Sequence, residues 1–455
     1  MKPLNKEILS LAIPSILANI TVPLVGMADI AVAGHLGGGS GAAALIGGIT
    51  IGTLLFDLLY WNFAFLRSGT GGLTAQAYGR LLAGSDGVDQ VHGILLRALR
   101  IAMLSGVALI ALQWVVLWLA FLLVDCTPQV RELASEYFKI RIWAAPATLS
   151  LFAFKGWFIG LQDTVRPMIA DLIVNGLNIA LSFGLGFGLC GLPAMGFAGV
   201  AAGTLIAQWC GFTYAAFAAR HALGQLVDQD QQYTVDQVQA PSFFRMNRDL
   251  VLRSLGMIAV YIGFTVISAK FGDTMLAVSA ILMKLLLVFS YFTDGFAYAG
   301  EALTGKFIGA GDKLGVHAAV KGCFIWGWGL AGAFMLMYGL GGVPAFHLLT
   351  SDVTVVEAGR EFIPWLLLMP LIGVPAFIWD GVFTGATATS AMRDSTLLCA
   401  VGFFAVWFGG YYLTMALGKD APVGPMAIHI LMAAYFVHLA IRSIYLTIYW
   451  WRVKK

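Results

Sequence analysis

Residues 69–79 read GTGGLTAQAYG, and residues 299–309 read AGEALTGKFIG. Leu73-Thr74 falls in register with Leu303-Thr304, and Gly79 with Gly309, at an offset of 230 residues. Each segment closes the second long apolar run of its half of the chain. A second match follows one helix pair later. Gly156-x-x-x-Gly160 corresponds to Gly381-x-x-x-Gly385, and Phe138 and Pro146 correspond to Phe362 and Pro370. Two collinear matches at near-equal offsets predict a chain built from two similar halves. Glycines four apart clear one stripe of a helix, which lets a second helix approach closely in a membrane.

The sequence around these segments is 59% hydrophobic and only 11% charged over 455 residues, with a mean hydropathy of +0.84. A soluble domain carries about 25% charged residues. A soluble chain this apolar would present a surface that water does not tolerate, whereas in lipid such a surface is required. Runs of spanning length fall near 8–32, 42–66, 97–122, 136–160, 165–188, 195–219, 250–270, 274–299, 318–342, 358–384, 395–417 and 424–449. Gly37–Gly41, Asp125–Arg131 and Gly418–Pro425 mark breaks between them. The polar stretch containing Asp228-Gln229-Asp230-Gln231-Gln232 reads as a linker. The expected fold is therefore all-α and integral to the membrane. Twelve helices form two parallel six-helix repeats: a lobe over 1–220, a linker over 221–248 and a lobe over 249–455.

With the N-terminus inside, nineteen Lys and Arg residues flank the spans on that side and six on the other. Arg253 and Arg442 count among the nineteen, and Arg141 among the six. This asymmetry predicts a multi-pass protein with both termini cytoplasmic. Met1–Glu7 is polar, and the apolar run after it reads as the first span rather than a signal peptide. The net charge of +3 gives no reason to expect a nucleic-acid partner. None of the five cysteines lies in a C-x-x-C pair, so neither a disulfide framework nor a metal site is expected, and all five read as small buried hydrophobes.

Charges inside spans are costly and ask for a reason. The mid-span candidates are Asp29, Asp57, Lys155, Asp171, Lys284, Asp294 and Asp380. Asp29 follows Pro14 and Pro23, two places where the first helix can bend. Pro23 also frees the carbonyl of Asn19 for another partner. A carboxylate there suits binding and release of a proton; the alternative is a structural acid near the outer end of the span. Asn175, Asn178 and Ser182 form a polar stripe on one face of the fifth span. It suits a proton or cation site if it faces Asp29, and inter-helix hydrogen bonding otherwise. Asp380 follows Pro364, Pro370 and Pro375, a run that argues for kinks beside a cavity. Lys284 and Asp294 are about 15 Å apart along one helix, too far to pair, so each is expected to have a partner on another helix, a structural ion pair in the case of Lys284. Lys155 reads as the partner of an acid. Abundant aromatic and Met side chains would suit flat, lipophilic cations.

Gly300–Lys306 has the G-x4-G-K spacing of a phosphate loop, but Phe307 replaces the Ser or Thr that would hold magnesium, and an apolar helix precedes it. No H-E-x-x-H or G-x-S-x-G stretch occurs. ATP-driven transport and hydrolytic chemistry are disfavoured, and no cofactor is expected.

Six stretches together resemble the MATE (multidrug and toxic compound extrusion) family, in its DinF-like branch. They are Pro14 with Asp29, FLRSGTGGLTAQAYG at 65–79, GLQDTVRP at 160–167, NGLNIALSF at 175–183, DGFAYAGEALTGKFIGAGD at 294–312 and WDGVFTGATATSAMRDS at 379–395. The resemblance covers nearly the whole chain. It implies two six-helix lobes, alternating access and export of small, lipophilic, cationic molecules in exchange for H⁺ or Na⁺. Such a transporter would work as a monomer in the lipid of a bacterial inner membrane. The family's coupling acid maps onto Asp29, with Asn178 in its supporting polar cluster. Related members often carry Asp where Ser182 stands, and the seventh span lacks the Glu of sodium-coupled members, so protons are favoured over Na⁺ as the coupling ion. The alternatives are a Na⁺-coupled antiporter using Asp380, and a flippase for lipid-linked precursors.

Overall fold

The computed structural model describes residues 2–36, 42–84, 88–124, 126–226, 240–350, 352–416 and 424–453. All regular structure among them is helical. The helices are α1 (Lys2–Leu36), α2 (Ala42–Trp61), α3 (Phe65–Leu82), α4 (Val88–Ala111), α5 (Gln113–Leu123), α6 (Pro128–Arg141), α7 (Ala145–Gly160), α8 (Val165–Phe187) and α9 (Phe197–Leu226). They continue as α10 (Ala240–Ser268), α11 (Asp273–Gly309), α12 (Lys313–Leu349), α13 (Val353–Arg360), α14 (Ile363–Gly385), α15 (Thr389–Ala416) and α16 (Pro425–Val453). Twelve helical stretches among the described residues are long and apolar enough to cross a membrane. All-helical spans are what lipid demands, since each helix satisfies its own backbone.

Several spans run longer than their apolar runs suggest. The second extends over Ala42–Leu82, with a break in helix between Trp61 and Phe65. The fourth starts at Pro128, where Thr127 caps α6 by accepting from the Val130 amide at 3.4 Å. α9 continues to Leu226 and α10 begins at Ala240, so 221–226 and 240–248 are helix rather than linker. The Asp228–Gln232 stretch, the glycine run 37–41, Asp125 and residues 418–423 lie outside the described residues. Between α12 and α13, Asp352 caps α13 by accepting from the Thr354 amide at 2.9 Å. The Thr354 hydroxyl and amide hold this carboxyl below its ordinary value.

Contacts gather the chain into two compact units, Ile13–Ala240 and Met1–Ala12 with Pro241–Lys455. The expected division assigned residues 1–12 to the other lobe. These residues pack within the second unit: Glu7 pairs with Lys306, and Ile8 occupies the space where a side chain on Gly322 would stand.

Each unit contains the same helix crossing. In the first, a Cβ on Gly156 would lie 2.0 Å from the Arg67 carbonyl oxygen. In the second, a Cβ on Gly381 would lie 1.9 Å from the Ala297 carbonyl oxygen. Arg67 and Ala297 are again 230 residues apart. α3 against α7 and α11 against α14 are thus repeats of one contact. Both crossings end in the same turn. Gln162 and Thr387 have φ of 65° and 53°, and the amides of Asp163 and Ala388 bond the carbonyls of Phe158 and Phe383 at 2.9 and 3.0 Å. This is the helix end that usually takes glycine at the left-handed position. Phe138 and Phe362, paired by the sequence repeat, are both fully buried.

The cysteine expectation needs correction. Cys323 and Cys399 are buried, Cys126 is half-buried, and Cys190 and Cys210 are exposed. The outer face of a membrane protein is itself apolar, so a thiol there has no need of the interior. The proline reading also changes: Pro364 lies in the first turn of α14, and only Pro370 and Pro375 fall inside it. α1 remains helical through Pro14 and Pro23.

Candidate functional site

In the Ile13–Ala240 unit, glycines on α9 bring it against α8. A Cβ on Gly203 would lie 2.9 Å from the Ser182 amide nitrogen, and one on Gly199 would lie 2.6 Å from the Leu185 backbone. Ser182 is thereby buried, and its hydroxyl donates to Asp29 Oδ1 on α1 at 2.9 Å. Asp29 is only 4% exposed. Two turns nearer the start of α8, Asn175 donates to the Thr21 hydroxyl of α1 at 2.6 Å. The two contacts are about 11 Å apart along both helices, so α1 and α8 run side by side in the same direction.

The polar stripe therefore divides. Ser182 reaches Asp29, and Asn175 reaches α1 at Thr21. Asn178 turns to α9, donating to the Thr204 hydroxyl at 2.7 Å. The Asn178 carbonyl oxygen is buried with no hydrogen-bond partner among the described residues.

A cation completes the surroundings of Asp29. The Arg141 guanidinium acts electrostatically on both Asp29 and Asp57. It donates to the Tyr137 hydroxyl at 2.9 Å and lies 4.7 Å from the centre of the Phe56 ring. A carboxylate out of water needs such partners to remain charged. With a hydroxyl on one oxygen and a guanidinium in range, Asp29 can hold a proton or give it up without leaving a bare charge.

Asp380 has a different setting in the other unit. Its carboxylate pairs with Arg253 of α10 and Arg442 of α16, and Arg442 Nε donates to Oδ1 at 3.1 Å. Arg442 is 1% exposed, and Asp294 acts on it electrostatically. A metal cation at Asp380 would have to displace two guanidiniums, so the arrangement speaks against a Na⁺ site there. Lys155 pairs with Asp171 at 2.7 Å.

Sequence reasoning missed Arg141, Arg253, Arg442, Thr21 and Thr204. The three arginines had been counted as flanking charges, although all three fall inside the assigned spans. That position was the available signal, since an intramembrane arginine asks for an acid.

The MatE family pattern matches residues 14–183 and 250–406. DNA damage-inducible protein F of Escherichia coli (strain K12) is 33% identical over 423 residues, 91% of this chain and 88% of that protein. Probable multidrug resistance protein NorM of Thermotoga maritima is 22% identical over 449 residues, 95% of this chain and 89% of its own length. A crystal structure of MATE in the bent conformation has a TM-score of 0.80 at 17% identity, covering 99% of this chain and 95% of that one. At that identity the likeness speaks for the fold alone. The repeated helix crossing, the twelve spans and the family pattern across both halves lead to one conclusion: the chain belongs to the MatE family and is a multi-pass membrane transporter rather than an enzyme.

Proposed function

We propose that this transporter exports small lipophilic cations across a bacterial inner membrane in exchange for protons, with Asp29 as the coupling acid. The observation that carries the reading is the Ser182–Asp29 hydrogen bond in a buried setting beside Arg141. With the substrate path open outward, Asp29 takes up a proton. Its attraction for Arg141 falls, and α1 repacks around Pro14 and Pro23. Affinity for a cationic substrate drops, and the substrate leaves. Opening inward returns the proton. Ser182 adds no second negative charge, which a proton site does not need. Both termini lie in the cytoplasm, and the chain works as a monomer.

The test is ethidium transport in proteoliposomes under an imposed pH gradient and, separately, a Na⁺ gradient. Asp29→Asn keeps the shape and an acceptor for Ser182. It is expected to fold normally and to lose ΔpH-driven transport by about a hundredfold. Wild-type transport by this variant would remove Asp29 from the mechanism, and drive by Na⁺ alone would replace the coupling ion.

A further inference from the structure

Among the described residues, the seven mid-span charges are matched, with one exception. Asp29 has Ser182 and Arg141, Asp57 has Arg141, Lys155 has Asp171, and Asp294 and Asp380 have Arg442. Against the expected ion pair with another helix, Lys284 on α11 has no ionic, hydrogen-bonded or ring partner among the described residues, and it is exposed.

Its place on α11 makes this informative. Lys284 is eleven residues from the start of the helix, about 16 Å along its axis, and further still from the other end. A bare ammonium at such a depth does not face lipid tails, so the side of α11 that carries it is wetted. Helical spacing puts Ala280, Val288 and Tyr291 on that side, with Ala280 and Val288 exposed and Tyr291 half-buried. Leu282, Leu286 and Phe289 are buried on the opposite side. The open face thus offers a positive charge with a small residue beside it, followed by an apolar and then an aromatic wall. That sequence of surfaces complements a negative head and an apolar body.

We propose that Lys284 is the recognition point for an anionic group, a carboxylate, sulfonate or phosphate, on an amphiphile whose body lies along Val288 and Tyr291. The transporter then handles acidic and zwitterionic amphiphiles in addition to cations. Lys284 supplies a charge-assisted hydrogen bond to the anion, and Ala280 leaves room for its oxygens. The amphiphile is either a free organic anion or a bilayer lipid, and the chemistry at Lys284 is the same for both.

The test is equilibrium binding to the purified full-length protein in phosphatidylcholine nanodiscs, with no ion gradient. Its outcome therefore does not depend on proton coupling at Asp29. The probes are dansyltaurine, which carries a sulfonate, uncharged dansylamide, and ethidium. Wild type is expected to bind dansyltaurine about tenfold more tightly than dansylamide. Lys284→Gln should lose that advantage, Lys284→Arg should keep most of it, and neither should weaken ethidium binding or lower the melting temperature. Equal affinity for dansyltaurine and dansylamide in wild type, or undiminished dansyltaurine binding by Lys284→Gln, would overturn the proposal. Repeating the titration with one part phosphatidylglycerol identifies the source of the anion. Competition supports a bilayer headgroup at Lys284, and unchanged affinity supports a free amphiphile.

Discussion

Removing the Asp380 carboxylate leaves Arg253 and Arg442 without their shared counter-charge. Breaking a buried ion pair from one side costs about 3–5 kcal/mol, because the remaining charge has no water to turn to. Asp380→Ala is therefore expected to lower the unfolding temperature in detergent sharply. Arg442→Met should cost less, since Arg253 still holds the acid. Loss of transport by Asp380→Ala at unchanged thermal stability would instead make Asp380 part of the ion path. The contrast with Asp29 is physical. Asp29 has one hydroxyl in direct contact and a more distant guanidinium, the looser setting that the proposed proton exchange requires. Asp380 is held by two guanidiniums in direct contact, which makes it a brace for α10, α14 and α16.

At the scale of the helices, α7 and α14 are held against α3 and α11 by glycines facing backbone. Gly156→Ala and Gly381→Ala would place a methyl group within 2.0 and 1.9 Å of a carbonyl oxygen. Backbone must shift to admit it, at a cost of about 1–3 kcal/mol in each case. Gly176→Ala on α8 is the control. Nothing lies within 4 Å of its added methyl, so it should be neutral or stabilise slightly. Thermal unfolding of the three variants checks the comparison, and equal effects would mean that the close crossings do not stabilise the unit in which each lies. These crossings were readable in advance as the Gly-x-x-x-Gly pairs, because close approach in a membrane depends on the absence of a side chain. The break between α2 and α3 was less readable, since Asn62 is the only polar residue in an otherwise apolar stretch from Leu58 to Leu66.

At the scale of the whole molecule, the bias of flanking Lys and Arg predicts that both termini lie in the cytoplasm. Epitope tags at the two ends should be reached by antibody only after the inner membrane is permeabilised; labelling of either tag in intact spheroplasts would reverse the assignment. Moving Arg141, Arg253 and Arg442 from the flanks into the interior leaves seventeen charges against five, so the bias survives. By itself the sequence determined the membrane setting, the number of spans and the two-fold repeat. Apolar length and glycine spacing are local properties, and a helix in lipid closes its own backbone hydrogen bonds wherever its neighbours lie. It also singled out Asp29 and Ser182, each conspicuous in its own helix. Only the tertiary structure decided which partner each buried charge has. Asp29 and Ser182 are 153 residues apart, and Arg253 and Asp380 are 127 apart. Such pairs depend on how each helix is rotated against its neighbours. Side-chain packing sets that rotation, and no periodicity within a single span encodes it.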